Sequence, residues 1–279
     1  MDRQRLAMSN FSHRQEGESF NKAPEQVGRN DIGYENLKVN CLLWPDKLEL
    51  GKFLSKASVA VRGNIVGDEE IDEDMVADMF KGGLNQGLEA FSVSFECSGV
   101  SRGVTHQLVR TRKATFAQQS MRYADMGNFN ARMPITIAED PYAKIIWLDA
   151  VETARRAYNS LAQMGIPMQD VRTVTPTAVE TYIICTYPLN EFLNTYAYRA
   201  CQMFYPETVA LFGLMKQALI EKCPWLKEHI KITCEKTSGG IKGLPHKCNY
   251  QGWERVEETC TFPWALEENR TFKSRKVLE

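Results

Sequence analysis

A chain of 279 residues with 43% apolar side chains can bury one good-sized core, which leaves little room for two large independent domains. Its formal charge of −1 excludes a generalised polyanion-binding surface, so any anionic ligand has to be met by a local basic cluster. No stretch approaches the ~20 apolar residues that cross a bilayer, and the polar N-terminus has no apolar signal core, so a soluble cytoplasmic protein with no membrane partner is expected.

Residues 1–36 are poor in aliphatic side chains and rich in Arg, Asn, Gln, Glu and Ser, the composition of a flexible or peripherally docked arm. Globular signals occupy residues 37–232. Leu37, Val39 and Cys41 alternate as in a short strand, Asp46 can cap a helix carrying Leu50, Phe53, Leu54 and Ala57, and Val76, Met79 and Phe80 mark another that Gly82 and Gly83 end. Phe91, Val93, Phe95 and Cys97 alternate strictly with polar neighbours, which predicts a half-buried strand. Ser101 opens a helix through Val109, followed by a polar, irregular stretch to about Pro134. A long helix is predicted over 142–164, with Trp147, Val151, Ala154, Tyr158 and Leu161 on one face and Gly165 closing it. The β-branched and aromatic run Val179–Tyr187 reads as a strand, with a buried helical turn as the alternative. Helical spacing resumes from Asn190 and is divided by Pro206. Met203 and the tyrosines at 196, 198 and 205 are assigned to core packing. Residues 233–279 read as an extension with little regular structure.

Eight cysteines, with no CxxC pair, fit a reducing compartment. His246, Cys248 and Cys260 lack the compact ligand pair of a zinc site, and no metal is assigned.

The window Ser101–Tyr123, SRGVTHQLVRTRKATFAQQSMRY, gathers Arg102, Arg110, Arg112, Lys113 and Arg122 with Gln107, Gln118, Gln119 and Ser120, and holds no acidic residue. Arginine forks match phosphate bidentately, while glutamine and serine can orient a base or sugar. A solvated basic face for nucleic acid would have a similar composition. The interleaved Leu108, Val109, Ala114 and Phe116 favour a partly buried pocket instead, and no nucleic-acid partner is assigned.

These residues resemble the signature of the flavin-dependent thymidylate synthases, RHRx7S within a longer SR…HQLVRHR…S…QQSxRY run. The chain supplies Ser101-Arg102, His106 to Arg110, Arg112, then Ser120 after seven intervening residues, and Arg122-Tyr123. The strand Phe91–Glu96, the run from Gly165 to Pro176 with Asp170 and Arg172, Asn194, Arg199-Ala-Cys201 and Glu221 to Trp225 follow in family order. Three places depart from the pattern. Thr111 replaces the signature histidine, Gln86 to Ala90 keeps only Glu89 of a Ser/Thr-Pro-x-Glu-His element, and Phe204 to Thr208 stands where relatives carry AQWEIR.

The resemblance implies an α+β fold, a mainly antiparallel sheet with helices, assembled as a homotetramer with shared sites. It implies flavin-dependent C5 methylation of a uracil nucleotide, of the dUMP to dTMP type, with FAD as redox cofactor, methylenetetrahydrofolate as carbon donor and NADPH as reductant. Carried onto this sequence, Gln107, Arg110, Gln118, Ser120, Arg122, Arg172 and Arg199 hold the nucleotide, with Arg199 and Ser120 nearest the chemistry. Gln86, Glu89, Arg112, Lys113 and Asn194 hold FAD. Ser120 is read as a hydrogen-bonding contact, because no paired base accompanies it. The departures keep two alternatives open: a UMP/dUMP C5-methylase of a nucleoside-antibiotic or phage base-modification pathway, and a nucleotide-binding homologue without catalysis.

Overall fold

In the computed structural model, residues 30–34, 36–62, 85–201 and 204–232 are described. The helix expected around Val76–Phe80, Met203, the C-terminal extension and the His246, Cys248 and Cys260 group lie outside them.

A three-residue strand β1 (Asn30–Ile32) precedes β2 (Lys38–Leu43), and Asp46 starts α1 (Lys47–Arg62) by accepting the Glu49 amide at 3.0 Å. A single turn, α2 (Asn85–Leu88), leads to β3 (Ser92–Ser101), where Val93, Phe95 and Cys97 are fully buried, as their alternation dictates. Ser101 ends β3 and caps α3 (Arg102–Leu108), its hydroxyl accepting the Val104 amide at 3.3 Å. The stretch after α3 is less irregular than its composition predicts, because it contains β4 (Thr115–Gln118) and β5 (Ala131–Met133). Both are short strands that exist only by pairing with distant segments.

After α4 (Ile135–Ala138), the long helix α5 (Pro141–Gln163) begins on Asp140, whose carboxylate accepts the Tyr142 and Ala143 amides at 2.8 and 3.0 Å. Gly165 at φ 76° turns the chain out of it. One turn, α6 (Met168–Val171), and a 3-10 turn (Arg172–Val174) lead to β6 (Glu180–Pro188), which settles the ambiguous run as a strand. The last helices are α7 (Leu189–Arg199) and α8 (Pro206–Lys222). Pro206 takes the first position of α8, where its missing N–H leaves no hydrogen bond unmade.

The main sheet is antiparallel in the order β2-β3-β6-β4, and β1 pairs with β5 in parallel beside it. This is the mixed α and β architecture, dominated by antiparallel pairing, that was expected. One face of β3 and β6 packs on α7 and α8, with Phe192 centred 5.0 Å from Phe95 and 6.5 Å from Phe212. A second apolar cluster seats Val151 and Tyr158 of α5 against Met126, Phe129, Val171 and Val179. It fixes the loop before β5 and the turn that carries Arg172.

Between these clusters lies a buried ionic hub that nothing in the local sequence announces. Arg132 of β5 bonds Glu180 at 2.7 Å, lies 3.6 Å from Glu207, and donates to the Gly99 and Gly33 carbonyls. Glu207, in the first turn of α8, accepts the Ser101 amide at 2.6 Å and hydroxyl at 2.7 Å. Burial raises the Glu207 carboxyl pKa, against the opposing pull of Ser101 and Arg132. Gly99 sits at a bulge in β3 with φ 73°, and a side chain there would collide with the Asn36 carbonyl.

Candidate functional site

The basic window is continuous in sequence but divides between two places in the fold. In the first, α3 ends in tight turns: the Arg110 amide bonds the Gln107 carbonyl at 3.4 Å, the Thr111 amide bonds Leu108 at 3.0 Å, and the Ala114 amide bonds Thr111 at 3.3 Å. These turns tuck Thr111 inward and leave Arg110, Arg112 and Lys113 exposed. Across from them α7 offers Glu191, Thr195 and Tyr198 at the spacing of one helical face, and Arg199 and Phe204 complete the lining. The result is a cleft of about 550 Å3, the size of a small-molecule site.

Arg199 Nη2 donates to the Gln107 carbonyl at 3.3 Å, and its guanidinium lies 5.3 Å from the centre of the Phe204 ring. The Gln107 side-chain oxygen is 3.5 Å from the Thr208 hydroxyl, which can donate to it. Lys113 pairs with Glu89 at 2.9 Å, and Asn190 donates to the same carboxylate at 2.8 Å. Those two hydrogen bonds, the lysine's foremost, hold the Glu89 carboxyl below its ordinary pKa. Asn194 is exposed on α7, one turn from Glu191 and from Tyr198. Gln86 belongs to α2, and its side chain lies outside the described residues.

The second place is the end of β4 and the turn after it. Gln118 donates to the Thr105 hydroxyl at 2.8 Å, and the Ser120 hydroxyl accepts the Arg122 amide at 3.3 Å. Arg102 Nη2 bonds the Gln119 carbonyl at 2.5 Å, while its Nε is buried without a partner. Burial and the nearby positive charge of Arg172 both lower the proton affinity of Arg102. Two neighbouring guanidinium groups, neither in an ion pair among the described residues, favour an anion. A polar cavity of about 320 Å3, lined by Lys38, Ser98, Gln119, Asn130 and Tyr182, adjoins this turn.

Of the residues expected to bind the nucleotide, the structure brings Arg110 and Arg199 together with Gln107 behind them, and places Gln118, Ser120, Arg122 and Arg172 elsewhere. Arg112 and Lys113, expected on the flavin side, share the cleft with Arg110 and Arg199. The sequence counts Arg102 in the basic window but in neither the nucleotide nor the flavin set, and it gives Tyr198 and Phe204 no site role. Tyr198 is corrected most clearly: expected in the core, it is 62% exposed and lines the cleft, whereas Tyr196 is buried as expected. Tyr205 is also partly exposed at 38%. The detectable signal for Tyr198 was its position seven residues after Glu191, on the face that also carries Asn194 and Thr195.

Residues 49–225 match the family model described as thymidylate synthase complementing protein. The chain belongs to that family. A flavin-dependent thymidylate synthase from Nitratidesulfovibrio vulgaris is 31% identical over 181 residues, 62% of this chain and 74% of the relative. One from Clostridium tetani is 32% identical over 160 residues, 49% of this chain and 64% of the relative. Among solved structures, thymidylate synthase X (ThyX) from Helicobacter pylori with FAD and dUMP superposes with a TM-score of 0.55 at 17% identity, covering 70% of this chain and 99% of the other. The UMP/dUMP methylase PolB from Streptomyces cacaoi, bound with 5-Br dUMP, gives 0.57 at 15% identity, covering 68% and 92%. At these identities the likeness establishes the shared fold. Among the described residues, no helix is long and apolar enough to cross a membrane.

Proposed function

We propose that the protein methylates C5 of a uracil nucleotide in a flavin-dependent reaction, with methylenetetrahydrofolate as carbon donor and NADPH as reductant. The observation that carries this reading is the cleft in which Arg110, Arg112 and Lys113 face a helix bearing Tyr198 and ending in Arg199, for cations beside an aromatic ring suit a planar heterocycle with a phosphate tail. Bound there, FAD would supply the redox chemistry. Arg112 and Lys113 would hold its phosphates, with Glu89, Asn194 and Gln86 as further contacts. Arg110 and Arg199 would meet the nucleotide and stabilise the negative charge that grows on the uracil oxygens as C5 reacts.

The cysteines support a route that does not rely on a thiol adding to C6. Cys41, Cys97, Cys185 and Cys223 are buried, and burial pushes the Cys41 and Cys223 thiols up to about 11. No described cysteine lines either cavity. Ser120 acts as a nucleotide contact. Ser120→Ala is therefore expected to raise KM several-fold and leave kcat within about threefold in steady-state kinetics; complete loss of turnover would point to a nucleophile.

Gln118, Ser120, Arg122 and Arg172 would complete the site from another copy of the chain within a homotetramer. Two observations support this: the two residue sets are separated within one chain, and the first turns of α5 expose Tyr142, Ile145 and Ile146 at 81, 65 and 70%. Replacing both Ile145 and Ile146 by glutamate should lower the mass measured by light scattering; an unchanged mass removes that stripe from the interface.

The reading is tested by incubating the protein with FAD, NADPH, methylenetetrahydrofolate and either dUMP or UMP. Formation of the C5-methylated nucleotide supports it. Comparable turnover of UMP would assign the UMP/dUMP methylase activity instead of a strict thymidylate synthase. Absence of turnover, with no spectral change when FAD is added, would leave only the nucleotide-binding alternative.

A further inference from the structure

Tyr198 is an aromatic side chain left 62% exposed on the wall of a cleft, although Tyr196, two residues earlier on α7, is 4% exposed within the core. A surface tyrosine inside a concave site offers a flat apolar face beside water, which stacking on another ring would cover. Phe204 lines the same cleft, but the Arg199 guanidinium already lies over its ring at 5.3 Å, so its task differs. The turn opposite buries Thr111, a small side chain, and sends Arg110 and Arg112 outward on either side of it. That wall provides charge and no ring of its own. A planar group entering the cleft therefore finds its aromatic surface on the α7 side.

Resting on the flavin reading above, we propose that Tyr198 stacks against the isoalloxazine ring of FAD, and that Phe204 is a positioning residue that holds the Arg199 guanidinium at the edge of that ring. Arg112 and Lys113, which line the same cleft, would then meet the phosphates of the same molecule. This arrangement makes the aromatic contact of the flavin a property of α7, away from the turn that carries the signature arginines.

The test is titration of the purified full chain with FAD, read by absorbance and by emission of the bound flavin, without turnover. Tyr198→Leu is expected to weaken FAD binding about tenfold, the equivalent of one stacking contact, and to brighten the remaining bound flavin, because a stacked tyrosine quenches the excited ring by electron donation. Tyr198→Phe should keep affinity within about twofold yet also brighten the flavin, since phenylalanine stacks but donates electrons poorly. Phe204→Leu should leave flavin emission quenched and weaken nucleotide binding through Arg199. Wild-type affinity and emission in Tyr198→Leu would overturn the assignment, as would a tenfold loss of dUMP binding there with FAD binding unchanged. Wild-type protein that binds no FAD would overturn the flavin reading itself, a result distinct from either.

Discussion

Arg199→Lys should lower kcat/KM for the uracil nucleotide by about 10²-fold while the protein melts within a few degrees of the wild type. The substitution keeps the charge and removes the fork. Arginine at this position does two things that lysine cannot do together: it donates to the Gln107 carbonyl and lays a flat guanidinium over Phe204. Loss of a preorganised donor at developing negative charge is worth roughly 10²–10³ in rate, and the partly exposed setting of Arg199 keeps the stability effect small. Steady-state kinetics alongside thermal melting check both parts. Near-normal kinetics in the lysine variant would show that only charge matters at this position, as for a basic surface that tracks a polyanion.

The largest effect on stability is expected at Arg132. Arg132→Leu leaves Glu180 and Glu207 buried without their cation and strips donors from the Gly99 and Gly33 carbonyls. Breaking a buried pair by removing one partner costs about 3–5 kcal/mol. Chemical denaturation should show a lower midpoint with an unchanged slope. Arg132→Leu combined with Glu180→Gln should recover part of that loss, because one stranded charge is removed. A single variant within about 1 kcal/mol of the wild type would mean that water or local rearrangement satisfies both carboxylates.

What could be read in the sequence was what local chemistry decides. The alternation from Phe91 to Cys97 has only one buried solution, Asp46 and Ser101 are capping residues placed where helices start, and Pro206 divides the helical run as its ring dictates. Strands β1, β4 and β5 were not legible, since three or four residues form a strand only when a partner far along the chain pairs with them. The Arg132 hub was hidden for the same reason, as it joins β3, β5, β6 and α8. The basic window stood out through its missing acidic residues, yet its division between two cavities depends on turns whose direction the composition does not set. Tyr196 and Tyr198 show the limit most plainly. Residues two apart on a helix point about 200° from each other, so assigning both to the core overlooked the geometry that puts one of them in the cleft.

The parallel pairing of β1 with β5 has a practical consequence for handling this protein. Composition draws the boundary of the globular part at Leu37, and a chain trimmed there would lose Asn30–Ile32. The trimmed chain would keep its signature residues and its cleft, but β5 would present an unpaired edge, Arg155 would lose its bond to the Asn30 side chain, and Arg132 would lose the Gly33 carbonyl. Such an edge is a template for aggregation, so a larger share of the shortened protein should be found in the insoluble fraction than of one that begins ahead of Asn30.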